Sequence, residues 1–89
     1  MAPSGGSFVT VAGATDRVWT GADRNSAAEI TSFMEGIPGI TAVFSWNNPA
    51  QQFEYWFKGF PPEFQTLTHM WRGLDHFFQS PGGVTVPLS

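Results

Sequence analysis

Nine Phe, four Trp and one Tyr stand in a chain of 89 residues that has no cysteine. That combination limits what the chain can fold into. A domain this short hides only about 60% of its unfolded surface. Without thiols, neither a disulfide nor a cysteine-based zinc site can staple it. Burial of rings, each able to hide roughly 150–250 Å², must supply the stability. The length allows one domain. Ten Gly and seven Pro are too many for a helical bundle and, having no period, do not suit collagen.

Charge excludes further classes. Only Arg17, Arg24, Lys58 and Arg72 are basic, they are scattered, and the net charge is −3. Nucleic-acid binding rests on many cationic phosphate contacts, so no nucleic-acid partner is expected. A polybasic patch for a membrane surface is missing as well. No apolar run approaches the roughly 20 residues that cross a bilayer, so no membrane span is expected. Residues 1–7 (MAPSGGS) lack a charged n-region and an apolar h-region, which argues against a signal peptide. They are read as a flexible, linker-like segment ahead of a single domain over 8–89.

The strongest local signal is Ser26 with Glu29 three residues on, a capping box. In it the Ser26 hydroxyl accepts from the Glu29 amide, and the Glu29 carboxylate reaches back to the Ser26 N–H. Ala27, Ile30, Phe33 and Met34 then fall on one helical face. Gly36 suits a left-handed C-terminal position and Pro38 blocks continuation. A helix over about 26–35 follows. Phe8–Val11 reads as a strand, Gly13–Asp16 as a turn or bulge, and Arg17–Thr20 as extended chain. Ile40–Trp46 and Gln52–Phe57, joined by Asn47-Asn48-Pro49-Ala50, read as an antiparallel hairpin. Phe64–Trp71 is a strand or an irregular crossing. Leu74–Gln79 is extended, and Val84–Val86 is a short last strand on an edge, because Pro87 cannot donate. The fold class is α+β: a small, strongly curved antiparallel sheet or open barrel of five to six strands, with one short helix against it. A mixed sheet is the alternative.

The succession Val18-Trp19-Thr20-Gly21, a short helix, Ala42-Val43-Phe44-Ser45-Trp46, Gln52-Phe53, a proline before Phe64, Leu67-Thr68, Gly73 and Phe77-Phe78 resembles a repeat module of secreted and cell-surface proteins of bacteria. The resemblance spans about residues 8–80. It implies an extracellular or cell-surface location, beside adhesion and carbohydrate-related domains, and carries no assigned activity with it. The chain departs from the module at Gly13-Ala14-Thr15, where Gly-Trp-Asn is usual, and at Asn47, where Asp ends the central strand. It departs again at His69, Trp71, Asp75 and His76.

Three sets of side chains carry candidate chemistry. Phe33, Phe44, Phe53, Phe64 and Phe77 are expected in the core. Trp56 shares a strand face with Gln52 and Glu54, which implies solvent, and Trp71 adjoins Arg72 and a turn. Exposed indoles beside Asn and Gln suit sugar rings or a protein partner; the competing reading has them closing the end of a barrel. Trp56, Trp71, Tyr55, Trp46, Asn47 and Gln52 are the candidate ligand-binding residues. His69, Asp75 and His76 are the candidate acid–base residues. Adjacent strand residues point to opposite faces, so Asp75 and His76 should not touch, whereas His69 and His76 could meet across a turn at Gly73. Plain exposed or hydrogen-bonded histidines are the competing reading. No metal motif is present, no motif implies a cofactor, and nothing supports nucleophilic catalysis. A Glu54–Glu63 carboxylate pair would suit glycoside hydrolysis, but 89 residues make a very small glycosidase.

Three functions follow. One is a non-catalytic binding module that presents aromatics to a glycan or small apolar ligand. Another is a self-associating structural module forming a homo-oligomer, favoured by sparse charge. The third is a small enzyme working through His69, Asp75 and His76 in an aromatic pocket.

Overall fold

A computed structural model describes residues 6–88. Six strands and one helix follow in the order β1 (Ser7–Val9), β2 (Gly13–Val18), α1 (Ala27–Glu35), β3 (Ala42–Asn47), β4 (Gln52–Phe57), β5 (Asp75–Ser80) and β6 (Thr85–Pro87). They form two antiparallel sheets: β1 with β6, and a four-stranded sheet in the order β2-β5-β3-β4. The α+β class stands. A single curved sheet does not, and among the described residues the strands neither close into a barrel nor pair in parallel. Of the segment expected to be flexible, residues 1–5 lie outside the described residues. Gly6 and Ser7 are tied in, Gly6 by its carbonyl, which accepts from the Leu88 amide at 3.0 Å, and Ser7 opposite Pro87 in β1.

The helix has the expected bounds, with altered caps. The Ser26 hydroxyl accepts from the Glu29 amide at 3.1 Å, but the Glu29 carboxylate reaches the Asn25 N–H rather than that of Ser26. Gly36 is right-handed at φ −81°, not left-handed, because its amide closes the last turn onto Phe33 and Met34. The segment expected as a turn at Gly13–Asp16 lies within β2. Its residues are poor strand formers, and pairing with β5 over the whole strand overrides that. After a short 3-10 turn at Pro62–Phe64, the chain to Trp71 is irregular rather than a strand.

Which sheet face is covered decides everything that follows. Alternation puts Val43, Trp56 and Phe78 on the inner face. There they pack with Ile30 and Met34 of α1, Ile37, Ile40, Trp19, Leu67 and Met70, and with Phe8 and Val86 of the small sheet. The buried rings are therefore Phe8, Trp19, Trp56 and Phe78. The five phenylalanines expected in the core are not there. Phe33 is half-buried against its edge, Phe53 and Phe64 are exposed, and Phe44 and Phe77 lie half-buried on the opposite sheet face. Gly21 sits so close to Trp19 and the Leu88 carbonyl that an added Cβ would fall 2.4 Å from the indole, which explains the missing side chain. A buried hydroxyl cluster joins the two sheets. Thr10 Oγ1 and Ser80 Oγ lie 2.7 Å apart, and the Val84 amide donates to Thr10 Oγ1 at 2.8 Å.

The outer edge of β4 is closed by a side chain. Gln65, itself buried, accepts from the Phe57 amide at 2.8 Å and donates to the Phe57 carbonyl at 2.7 Å, as a neighbouring strand would. Thr66 and Leu67 continue this by donating their amides to the Tyr55 carbonyl.

Candidate functional site

Two surfaces emerge, one on the uncovered sheet face and one at its end. Strand register sets the first. Asp16, Phe77, Phe44 and Tyr55 form one row across the four strands, and Ala14, Gln79, Ala42 and Phe57 the next. Trp46 stands opposite Phe53 on the same face. Phe44, Phe53, Tyr55 and Phe77, with Ala14, line an open groove of about 360 Å³ that has no polar lining. The rings pack edge to face, with Phe44 to Phe57 at 5.6 Å, Trp46 to Phe53 at 5.0 Å and Phe53 to Phe77 at 6.1 Å between centroids. Along the β2 side of this face lie Asp16 and Asp75, where a shared hydrogen bond and mutual repulsion hold the Asp16 carboxyl above its usual value.

The second surface is a cleft of about 380 Å³ where the inner face runs out of core. Its walls come from four segments: the end of β3 (Ser45, Trp46, Asn47), the following turn (Asn48, Pro49), Glu54 of β4, and the chain from His69 to Leu74. That last stretch is fixed by pairing with the segment after β2. Arg24 and Met70 exchange amide–carbonyl bonds at 3.0 and 2.9 Å, and Gly73 donates to the Trp19 carbonyl at 2.8 Å. Side chains add to this. The Trp71 indole donates to Asn25 Oδ1 at 2.7 Å, and Asp23 accepts from the Arg72 amide at 2.8 Å. The His69 ring stands edge-on to Trp71 at 4.4 Å, with its Nδ1 2.8 Å from Thr68 Oγ1. Trp71 thus keeps 40% of its surface exposed while being held on two sides.

The hairpin turn fixes the other wall. Asn47 Oδ1 accepts from the Ala50 amide at 3.1 Å, and its Nδ2 donates to Glu54 at 2.9 Å. Gln51 takes the left-handed position at φ 55°, held by bonds from its side-chain amide to Asn48 at 2.7 and 2.9 Å. Trp46, 47% exposed, sends its indole N–H toward Asn48 Oδ1 at 3.4 Å.

Of the candidate ligand residues, Trp46, Asn47 and Trp71 come together in the cleft. Tyr55 belongs to the other surface, and Gln52 is exposed at the start of β4 outside both linings. Trp56 is the clear correction. It is 1% exposed and its indole donates to Thr31 of α1 at 3.0 Å. Its strand face is the covered one, and Gln52 and Glu54 misled because they sit toward the end of that face, beyond the core.

The acid–base candidates are separated. His76 is fully buried in the core, with Nδ1 2.8 Å from the Leu74 carbonyl and Nε2 without a partner. Burial lowers its pKa. Asp75 is exposed beside Asp16, and only His69 reaches the cleft. Among the described residues no three His, Asp or Glu come together to hold a metal, and no helix is long and apolar enough to cross a membrane. The sequence singled out Glu54 for a pairing with Glu63, yet Glu63 is absent from the lining. Ser45, Asn48, Pro49 and Leu74 of the lining, and Asn25 behind Trp71, are not among the sequence candidates. The Asn47-Asn48 turn next to Trp46 was the readable signal for Asn48, whereas Asn25 acts on a ring 46 residues away and leaves none. Comparisons with protein-family models, with curated proteins and with solved structures find no match for the chain.

Proposed function

We propose that the chain is a non-catalytic binding module whose cleft takes a ligand with a flat or ring-shaped apolar face, a glycan or a small apolar molecule. The observation that carries this is the meeting of Trp46 and Trp71 with Asn47, Asn48, Glu54 and His69 in one cleft built from four segments. Indole faces stack on the apolar side of a sugar ring while the Glu54 carboxylate accepts from its hydroxyls and the Asn48 amide donates to them. The dispersal of His69, Asp75 and His76 removes support from an acid–base enzyme. The resemblance to cell-surface repeat modules agrees with an extracellular setting beside carbohydrate-related domains. The test is a ligand-induced melting screen with neutral oligosaccharides and small apolar compounds, since a ligand of the folded state must raise the midpoint. A rise that Trp71→Ala removes supports the reading; no rise with any compound sinks it.

One observation favours a second reading, self-association. The groove on the outer sheet face has no polar lining, and a four-stranded sheet with rings on both faces has one more apolar face than its own helix covers.

A further inference from the structure

The cleft's charge is one-sided, and its indole donors are already engaged. The indole N–H of Trp71 is spent on Asn25 at 2.7 Å and that of Trp46 is directed to Asn48 at 3.4 Å. The Ser45 hydroxyl donates to the Asp75 carbonyl at 3.0 Å, and Asn47 gives an amide hydrogen to Glu54 at 2.9 Å. What remains to meet a ligand is the π faces of Trp46, Trp71 and His69, the carboxylate of Glu54 and the side-chain NH2 groups of Asn47 and Asn48. Glu54 is the one carboxylate in the lining, and no Lys or Arg joins it. The four basic residues are engaged or distant. Arg17 lies over the Phe8 ring at 4.7 Å and Arg24 over the Phe33 ring at 4.1 Å. Arg72 points its Nε at the Gly21 carbonyl at 3.4 Å. Lys58 follows the opposite end of β4 from Glu54.

Aromatic faces carry negative quadrupoles and attract ammonium groups, most strongly where a carboxylate adds its charge and water is partly excluded. A quaternary ammonium offers no N–H and asks for none, so it suits a wall of rings whose own indole donors are already used. We infer that the cleft recognises an organic cation, an ammonium group carried on an apolar chain or ring, with Trp46, Trp71 and His69 as the cage and Glu54 as the counter-charge. This rests on the cleft being a binding site and specifies what it binds. A quaternary headgroup and a protonated amino sugar share that chemistry.

The test is tryptophan fluorescence of the intact chain at constant ionic strength, with two matched pairs: choline against its neutral tert-butyl isostere, and glucosamine against N-acetylglucosamine. The expected result is that at least one cation saturates the signal at a concentration roughly tenfold below its neutral partner. Glu54→Gln, which keeps the acceptor for Asn47, should erase that preference without moving the melting midpoint, and Trp71→Ala should abolish binding. Preference for choline identifies a quaternary headgroup, and preference for glucosamine an amino sugar. Equal binding of cation and neutral partner, or an unaltered preference in Glu54→Gln, overturns the inference and leaves the binding reading intact. Silence with all four compounds and with neutral oligosaccharides overturns both.

Discussion

His76 shows at the residue scale what burial costs a titratable group. It occupies the core with no exposed surface, and only one of its two ring nitrogens has a partner. Burial disfavours the imidazolium, and the nearby Leu74 and His69 carbonyls only partly offset it, so the pKa in the fold lies below the ordinary 6.5. Arg17, paired opposite it on β2, adds nothing that would favour a positive charge. The unfolded chain therefore takes up a proton first as pH falls. Stability is complete above 6.5 and declines below it, with a slope of at most about 1.4 kcal/mol per pH unit for one proton. Melting followed from pH 7.5 to 5 should show this decline, and His76→Gln, neutral throughout, should flatten it. An unchanged slope in that variant would show that the titration belongs to another group. Trp56 is the other residue-scale test, because the sequence offered it as a binding residue. Buried, and bonded to Thr31 at 3.0 Å, it should cost about 3–5 kcal/mol when replaced by Ala. In a small domain that is a large part of the total stability, so thermal or urea melting should find Trp56→Ala largely unfolded, where a surface indole would leave the midpoint almost unmoved.

At the scale of elements, the legible parts were those governed by neighbours in sequence. The helix announced itself because Ser26, Glu29 and the apolar stripe all act within nine residues, and the hairpin because Asn and Pro separate two alternating runs. What was hidden depends on partners far along the chain. β2 has no apolar alternation because most of its residues are exposed, so only its pairing with β5 makes it a strand. The aromatic faces of β3 and β4 could not be ranked from sequence, since each carries rings and the side on which α1 docks decides between them. Hence Phe53 was assigned inward and Trp56 outward, the reverse of their positions. The 65–67 segment was equally silent. Gln65 looks like an ordinary polar residue, yet it stands in for a strand at the edge of β4 through bonds to Phe57 of 2.8 and 2.7 Å and a third to the Phe60 carbonyl at 3.2 Å. Its replacement by Leu removes all three and leaves the part-buried Phe57 amide without its partner, a loss of about 1–3 kcal/mol, while the Phe57 carbonyl keeps the Phe60 amide at 3.3 Å. Urea melting should show the domain weakened by at least about 1 kcal/mol; a change under about 0.5 kcal/mol would mean the edge is satisfied without it.

For the whole molecule, the unresolved balance lies between the two faces of the main sheet. A sheet that packs on one side normally alternates apolar-in and polar-out, but here the outward positions include Phe44, Trp46, Phe53, Tyr55, Phe57 and Phe77. Their heights differ across the sheet. β4 carries large rings outward, whereas β2 carries Ala14 and Asp16, so the face is a wedge, tall on one side and low on the other. A two-fold axis along the strands would set the tall side of one copy over the low side of the next, as an isologous contact requires. Four strands about 4.8 Å apart and six residues long at about 3.4 Å each give roughly 400 Å² in projection. That is near half the ~800 Å² per partner of a standard interface, so the association should be weak and concentration-dependent. Its low side carries Asp16 and Asp75, which must lose water under the partner's rings. Acidification that neutralises Asp16, whose carboxyl is held above its usual value, should therefore strengthen the contact, and Asp75→Asn, which removes a charge from the same side, should act in the same direction at neutral pH. Sedimentation across a hundredfold range of concentration should show a monomer–dimer equilibrium that Phe77→Thr, a strand-compatible change remote from the cleft, shifts to monomer. A chain that sediments as a monomer throughout, with Asp75→Asn no different, would mean that this face stays open to water in spite of its rings.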